Sequence, residues 1–448
     1  MLIHGEGGTG KSKVITKITR AFRDRAVQHW LVKAAYTGVA TLLIDGKTTH
    51  TIGAMGLRGD KMSPANKAKL QNFWKDRLFL IIDKISMISK QFLSCLSRKI
   101  GISKASSSDK SFGGVNVIIC GDFHQFPPVA SSPLQALYHP SDEARDNVDM
   151  KVGRVIYKEF TTVILLKQQM RVMDEVWRDF LRHLRVGNVQ ERHITMLRTL
   201  LLTDKDEFNS DPWQNATLVT PRHGVRVPWN AQAARKMCRN DSKQLFVCPA
   251  EDTYCGGPLS LAERMEKELP STIELAIRMS IMVTNNVETD LDITNGARGT
   301  IKRIILDPDE PTIGDEAVVY LKKLPPFVLV RFEHTKAGTL SGLSMGILPI
   351  EPVKTTYQIK MLMDDNTTVK RMIRRRQFPL TGAYAFTNYR SQGQTLKHVI
   401  VDIATPPTGG LSLFNVYVAL SRSSGRDTIV DVWILCVLGP DKGCDITL

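Results

Sequence analysis

Gly5-Glu6-Gly7-Gly8-Thr9-Gly10-Lys11-Ser12 decides how the rest of the chain is read. The pattern is glycine, four residues, then Gly-Lys-Ser. Glycines at these positions let the backbone turn its N–H groups onto a phosphate; the lysine reaches the β and γ phosphates and the serine hydroxyl takes Mg²⁺. Gly5, Gly7, Gly8, Thr9, Gly10, Lys11 and Ser12 are therefore the candidate ligands of ATP, with Mg²⁺ on Ser12. The residues after the loop agree. Val14, Ile18 and Phe22 recur every fourth position and mark one face of a helix, whose positive N-terminal end meets the anion. Only Met1 to His4 precede the loop, whereas strands usually run to about five or six residues. The first strand is expected to be clipped, as in a fragment or a mis-started gene.

Working outward, the 448 residues are 42% hydrophobic, enough apolar surface to exclude a wholly disordered chain. The length suggests about two to four domains. The net charge of +15 calls for an anionic partner, most commonly nucleic acid. Seven cysteines are scattered without a Cys-x-x-Cys pair, which argues against a zinc site or a disulfide framework and for a reducing compartment. No apolar run nears the roughly 18 residues that span a bilayer, so no membrane is expected.

There is no internal repeat. Short apolar runs alternate with amphipathic stretches, the pattern of an α/β fold with mostly parallel strands. The strand-like runs include Trp30 to Val32, Leu78 to Ile82, Val115 to Cys120, Thr217 to Val219, Ile281 to Val283 and Val399 to Asp402. Trp177, Phe180, Leu181 and Leu184 share a helix face. Residues 298–378 differ: Ala317 to Leu321, Phe327 to Phe332 and Thr356 to Met363 are short runs between turns, as in a small antiparallel barrel. The polar stretch from about Gly53 to Phe73 is expected to be an excursion from the first domain.

A nucleotide hydrolase also needs a carboxylate at the end of a second buried strand. Leu78 to Ile82 ends in Asp83, placed to hold Mg²⁺ through water. The next residue is Lys84, where many such hydrolases carry a glutamate that polarises the attacking water. A protonated lysine cannot serve as that base, and its charge repels the metal; a positioned base is worth about 10²–10⁴ in rate. A third strand runs into Gly121-Asp122-Phe123-His124-Gln125-Phe126-Pro127-Pro128-Val129, at the strand end where open α/β sheets bind ligands. Gln125 is placed to touch the γ-phosphate and Asp122 to join the outer shell of the metal.

These residues resemble the Pif-type DNA helicases of superfamily one, including the helicase portion of Helitron transposons. The phosphate loop, the strand ending at Asp83 and the 121–128 turn look like the first three motifs of that family. Tyr36-Thr37-Gly38-Val39-Ala40 and Thr48-Thr49-His50-Thr51 look like its early DNA-contacting loop. Leu165 to Arg171 looks like the segment that carries an arginine to the γ-phosphate. Asn295-Gly296-Ala297-Arg298-Gly299 resembles the turn into an inserted barrel. Tyr384 to Thr387 with Ser391-Gln392-Gly393-Gln394-Thr395-Leu396 resembles the fifth motif, and Tyr417 to Arg422 the sixth. The motifs fall in family order along nearly the whole chain.

The resemblance implies an α/β fold of two RecA-like lobes, parallel sheets flanked by helices, with a small β-barrel insertion in the second. The expected bounds are 1–160 for the first lobe, 161–297 with 379–448 for the second, and 298–378 for the insertion. It implies ATP between the lobes, with Lys11, Asp83, Gln125, Arg171 and Arg422 as the catalytic set. It implies contacts to single-stranded DNA from Thr37, Gly38, Thr49, His50, Asn295, Gly296, Ser391 and Gln392. The implied activity is ATP-driven 5′-to-3′ translocation on single-stranded DNA with unwinding at duplex junctions, by a nuclear, monomeric protein. Telomere maintenance, repair, recombination and transposition all use such machinery. The basic group Arg371, Arg374, Arg375 and Arg376 is either a DNA contact or a solvated turn. Trp74, Trp177, Trp213 and Trp229 are either base-stacking or core residues.

Three departures stand out: Lys84 in place of the family's glutamate, no glutamine-bearing adenine segment before the loop, and Arg390 where lysine is common. The first predicts impaired hydrolysis. The alternative to a working helicase is a degenerate, nucleotide-gated single-stranded DNA-binding protein with little turnover.

Overall fold

The computed structural model describes residues 1–55, 63–104, 110–129, 131–201, 213, 216–254, 269–362, 368–404, 406 and 410–431. They form two compact units, one from Met1–His223 and Phe386–Leu448, the other from Gly224–Ala385.

The first unit is built on a six-stranded parallel sheet. Its strands are β1 (Leu2–Gly5), β2 (Leu31–Ala35), β3 (Lys47–Thr48), β4 (Phe79–Asp83), β5 (Asn116–Gly121) and β6 (Val163–Leu166), in the order β3-β2-β4-β5-β1-β6. The middle strands are apolar because both faces are covered: Leu80, Ile81, Ile82, Ile119 and Cys120 are fully buried. The helices α1 (Lys11–Asp24), α2 (Gly38–Ile44), α3 (Thr49–Ile52), α4 (Pro64–Trp74), α5 (Lys90–Lys104) and α6 (Val148–Lys158) alternate with these strands. On α1 the face predicted from Val14, Ile18 and Phe22 is the buried one: Val14 and Ile18 pack beside Ile15 and Ile81, and the Phe22 ring meets Phe79 edge-on. Gly153 lets α6 lie on the backbone of α5, where a Cβ would come within 1.8 Å of Lys90 O. Below it the buried Lys90 ammonium pairs with Asp146. Trp74 is core, its indole N–H donating to Ile52 O.

β6 pairs with β1 along its whole length, Leu2 to Gly5 against Val163 to Leu166. The first sheet therefore extends past the expected boundary at 160. After it come α7 (Glu175–Arg185), α8 (Glu191–Arg198) and β7 (Thr217–Val219). The α7 face carrying Trp177, Phe180, Leu181 and Leu184 is buried as its spacing predicts.

The second unit opens with α9 (His223–Asp241). Its strands are β8 (Leu245–Pro249), β9 (Glu251–Tyr254), β10 (Thr272–Leu275), β11 (Ser280–Val283), β12 (Arg298–Ile305), β13 (Val318–Tyr320), β14 (Phe327–Phe332), β15 (Ile347–Ile350), β16 (Val353–Leu362), β17 (Thr368–Gln377) and β18 (Leu380–Gly382). They make an antiparallel sheet β15-β14-β12-β11-β18 and two three-stranded sheets, β10-β8-β13 and β16-β17-β9. Each runs from edge to edge, so no closed barrel forms among the described residues. β11 was grouped with the parallel strands on its apolar run, but it pairs antiparallel with β12 and β18. A short apolar run does not carry strand direction. Two arginines of the basic group on β17 are committed to neighbours: Arg375 is buried and grips Asp252 with two nitrogens at 2.8 and 2.7 Å, and Arg376 pairs with Glu251 at 2.7 Å.

The chain then returns to the first unit through β19 (Ala385–Phe386), α10 (Asn388–Ser391), β20 (Val399–Val401), α11 (Leu413–Leu420) and β21 (Ile429–Asp431). These build a second sheet, β19-β7-β20-β21, over a core of Trp177, Phe180, Leu184, Val399 and Tyr417. The six-stranded and four-stranded sheets are the two RecA-like lobes. Of the expected excursion at 53–73, residues 56–62 lie outside the described residues, as do Cys255, Cys436 and Cys444; the rest includes α4. Cys120, Cys238 and Cys248 are free thiols, and the Cys95 thiol meets Met55 Sδ at 3.7 Å. Among the described residues no helix is long and apolar enough to cross a membrane.

Candidate active site

The phosphate loop joins β1 to α1. Gly8 and Gly10 take φ of +95° and +87°, a region that glycine enters without steric cost. Gly8 has a second reason: a Cβ there would sit 2.1 Å from Gln169 Oε1. Lys11 folds back over the loop and donates to Gly5 O at 2.6 Å and Glu6 O at 2.7 Å. Burial pulls its ammonium down to about 8, against the attraction of Asp122 and with help from the charge of Lys84.

Two carboxylates end adjacent strands beside the loop. Asp83 closes β4 and is buried; its Oδ1 accepts the N–H of Lys84 at 2.8 Å. Lys84 stands at φ +61°, an uncommon conformation for a side-chain-bearing residue. The residue is only half-buried as a whole, yet its ammonium is desolvated: burial lowers its pKa, Asp83 offsets part of this, and Arg422 and Arg171 lower it further. A Cβ on Gly393 would lie 3.6 Å from Lys84 Nζ, so the ammonium faces the Ser391–Gly393 turn. Ser12 and Asp83 are hard oxygen donors of the kind Mg²⁺ takes, and the Lys84 charge beside them opposes a cation.

Asp122 follows β5. Burial works against its ionisation, but Arg185, Lys11 and the hydrogen bonds from Arg185 and His124 hold its pKa below the usual range. Arg185 Nη2 reaches Asp122 Oδ1 at 2.7 Å, and Gln125 Nε2 reaches Oδ2 at 3.3 Å. Gln125 Oε1 in turn accepts Gln392 Nε2 at 3.0 Å.

The two arginines expected at the phosphates also lie here. Arg171 donates to Ser421 O at 3.1 Å, and its N–H goes to Gln169, whose amide caps Gly7 O at 2.9 Å. Arg422 is buried and donates to Val418 O, Ser391 O, Gln394 O and Ser421 Oγ. Its Nη2 lies 3.8 Å from a Cβ placed on Gly7. Burial, then the charge of Arg171, pushes its pKa well down. Lys11, Asp83, Gln125, Arg171 and Arg422 thus meet around one loop.

The residues expected to touch DNA separate. Thr37 caps α2, its hydroxyl accepting Ala40 N–H at 3.4 Å, and Gly38 is the first residue of that helix. Thr49 is buried, whereas His50 is exposed and stacks edge-on against Tyr36 and Phe92. Asn295 and Gly296 form the β11–β12 turn, Gly296 at φ +98° with its N–H on Val283 O. Ser391 and Gln392 are buried, their groups turned to Arg422 and Gln125 rather than outward. Trp177 is core like Trp74; Trp213 meets the His398 ring edge-on.

Sequence reasoning gave no individual role to three residues, two of which lie inside quoted motifs. Arg185 is one, and the helix-capping end of a strong apolar periodicity was its only signal. Gln169 is the second. Tyr417 is the third: it is buried and hydrogen-bonded to the Gly7 backbone.

A glycine loop, a parallel sheet and two strand-end carboxylates define a P-loop nucleotide-binding protein of the RecA-like class. Comparison narrows this: residues 1–190 match the family model of PIF1-like helicases. It is 25% identical to the ATP-dependent DNA helicase PIF7 of Trypanosoma brucei over 96% of this chain and 44% of the relative. It is 25% identical to PIF1 of Xenopus laevis over 94% of this chain and 56% of the relative. The chain thus spans about half the length of these relatives. The fold matches a crystal structure of Pif1 from Bacteroides bound to single-stranded DNA at TM-score 0.63 and 20% identity, covering 96% of this chain and 88% of that one. It matches the Pif1 helicase of Candida albicans at TM-score 0.63 and 24% identity, covering 96% and 91%.

Proposed function

We propose that the chain is an ATP-dependent 5′-to-3′ DNA helicase motor by descent, whose hydrolysis is held low by Lys84. The observation that carries this is the convergence of Lys11, Asp83, Gln125, Arg171 and Arg422 on one phosphate loop, from both lobes of the first unit. The relatives named as ATP-dependent DNA helicases and the fold shared with a Pif1 bound to single-stranded DNA support the same reading.

In this reading the loop N–H groups and Lys11 bind the phosphates, and Lys11 exchanges its two carbonyl partners for phosphate oxygens. Ser12, with Asp83 through water, would hold Mg²⁺, which neutralises charge on the phosphoryl oxygens. Arg171 and Arg422 stabilise charge on the transferring group. Gln125 reports the γ-phosphate to Gln392. Lys84 supplies no base for the attacking water while protonated. Single-stranded DNA is taken to contact Thr37, Gly38 and His50 on the first unit; Asn295 and Gly296 are candidate DNA contacts on the second unit by themselves. Thr49, Ser391 and Gln392 act from beneath the first-unit contacts. The net charge of +15 is the electrostatic footprint of such a track. The chain is read as a monomer in the nucleus, working at duplex junctions; one similar structure concerns two coordinating Pif1 helicases at forked DNA.

A second reading is favoured by the Lys84 observation itself: a nucleotide-gated single-stranded DNA-binding protein with little turnover. Phosphate release with and without single-stranded DNA separates the two. A motor shows DNA-stimulated release once Lys84→Glu restores the base. The gated binder shows nucleotide-dependent DNA affinity and no stimulated release in either form.

A further inference from the structure

Arg185 ends α7, next to Leu184 on the buried apolar face, and lies 63 residues from the carboxylate it meets. Its guanidinium donates to Asp122 Oδ1 at 2.7 Å, and its own carbonyl meets His124 Nδ1 at 3.0 Å. The second Asp122 oxygen accepts Gln125 Nε2 at 3.3 Å; Gln125 Oε1 accepts Gln392 Nε2 at 3.0 Å. Asp122, Gln125 and Gln392 are each at most 4% exposed, so water does not replace these partners cheaply.

The series has a fixed polarity. An ionised carboxylate only accepts, so Gln125 must turn its NH₂ to Asp122 and its oxygen to Gln392. Asp122 can hold that orientation only while it is itself held. The cations acting most strongly on it are Arg185 and then Lys11, and Lys11 is the residue that a phosphate would draw away. A second contact lies close by: the rings of Phe126, next to Gln125, and Tyr389, three residues before Gln392, stack at 4.0 Å and 15°.

We propose that Arg185 is a positioning residue, holding Asp122 and through it Gln125, so that nucleotide occupancy at the phosphate loop is transmitted to the Ser391–Gly393 turn. This rests on the nucleotide and DNA reading above. When a γ-phosphate takes Lys11 and competes for Gln125 Nε2, the Arg185–Asp122 pair stays fixed and Gln125 has one alternative position. Without Arg185 the carboxylate follows Lys11, and the position of Gln125 no longer reports the phosphate.

The test is the affinity of the full chain for a labelled oligothymidine, with and without a non-hydrolysable ATP analogue and Mg²⁺. The readout is the ratio of the two dissociation constants, which a merely structural residue would leave unchanged in any variant that folds. The unmodified chain is expected to show a ratio of about 5-fold or more, the lower end of ordinary coupling between sites. Arg185→Met is expected to bind the analogue and bring the ratio close to 1, with Arg185→Lys restoring part of it, since lysine keeps the charge without the planar fork. Should Arg185→Met fail to fold, Gln392→Leu cuts the same series at its far end and is expected to lose the ratio too. A full ratio retained in Arg185→Met, or in Gln392→Leu where only that variant folds, overturns the inference alone. An unmodified chain that binds no ATP analogue overturns the function reading and this inference with it.

Discussion

Asp83 and Asp122 end neighbouring strands of one sheet, and both are about 2% exposed. Their partners differ. Asp83 is bound by the backbone N–H of the next residue, whose own side chain is a lysine with a desolvated ammonium. Asp122 is bound by an arginine delivered from the end of α7, with Gln125 on its other oxygen. The first carboxylate is set by local chain geometry and has a cation beside it that opposes metal chemistry. The second is set by tertiary packing and has a cation that holds it for signalling. The same residue type at the same place in adjacent strands is thus fitted to different work by what the rest of the chain brings to it.

Lys11 feels the charge of both carboxylates, and removing it should have the largest effect. Lys11→Ala is expected to lower nucleotide affinity by at least about 100-fold, since Lys11 is the main cation on the β and γ phosphates. Titration with a fluorescent ATP analogue measures this, and an unchanged affinity would remove the phosphate-loop assignment. Next in size is the contrast in stability. Asp122→Asn leaves Arg185 buried without its counter-charge and is expected to cost about 3–5 kcal/mol. Asp83→Asn keeps an acceptor for the Lys84 N–H but removes the charge that offsets the desolvation of Lys84, and should cost about 1–3 kcal/mol. Urea unfolding of the two variants gives the comparison; equal losses would erase the distinction drawn between the carboxylates.

Solution pH sharpens it further. The Lys11 pKa is about 8 in the folded chain, below the ordinary lysine value. Below about pH 8 the folded chain carries a buried charge that the unfolded chain solvates freely. The stability cost of that charge is therefore full below about 8 and fades as pH rises towards the unfolded lysine value. Nucleotide affinity moves the opposite way, because the charged form binds phosphate. It should fall by up to about 10-fold per pH unit above 8, measurable by calorimetry from pH 7 to 9.5. A flat profile would mean that Lys11 stays fully charged in the free protein. The smallest effect is expected far from both carboxylates: Arg376→Ala breaks a partly exposed pair with Glu251 and should cost at most about 1 kcal/mol.

What the sequence disclosed follows the same division. Asp83, Lys84, the phosphate loop and the buried faces of α1 and α7 were legible because each is fixed by spacing within one element. The strand runs at Leu78 to Ile82, Val115 to Cys120 and Val399 to Asp402 were legible for their apolar length. Arg185 was not, since nothing local ties a helix-end arginine to a carboxylate 63 residues away. Ser391 and Gln392 were placed at DNA by resemblance, but local sequence does not show which way a turn faces; packing turned them inward. Arg375 looked like a free positive charge until the β9 strand brought Asp252 alongside. The Ile281 to Val283 strand was misgrouped because its direction is set by partners remote in sequence.

The central proposal is that a motor site built on Lys11, Asp83, Gln125, Arg171 and Arg422 is silenced at Lys84. Steady-state phosphate release, with and without single-stranded DNA, on the chain as it stands and on Lys84→Glu tests it most directly. The account predicts little release from the unmodified chain under either condition. It predicts DNA-stimulated release from Lys84→Glu that is higher by about 10²–10⁴, the usual worth of a positioned base. Equal DNA-stimulated release from both forms, or none from a Lys84→Glu protein that still binds ATP, would contradict it.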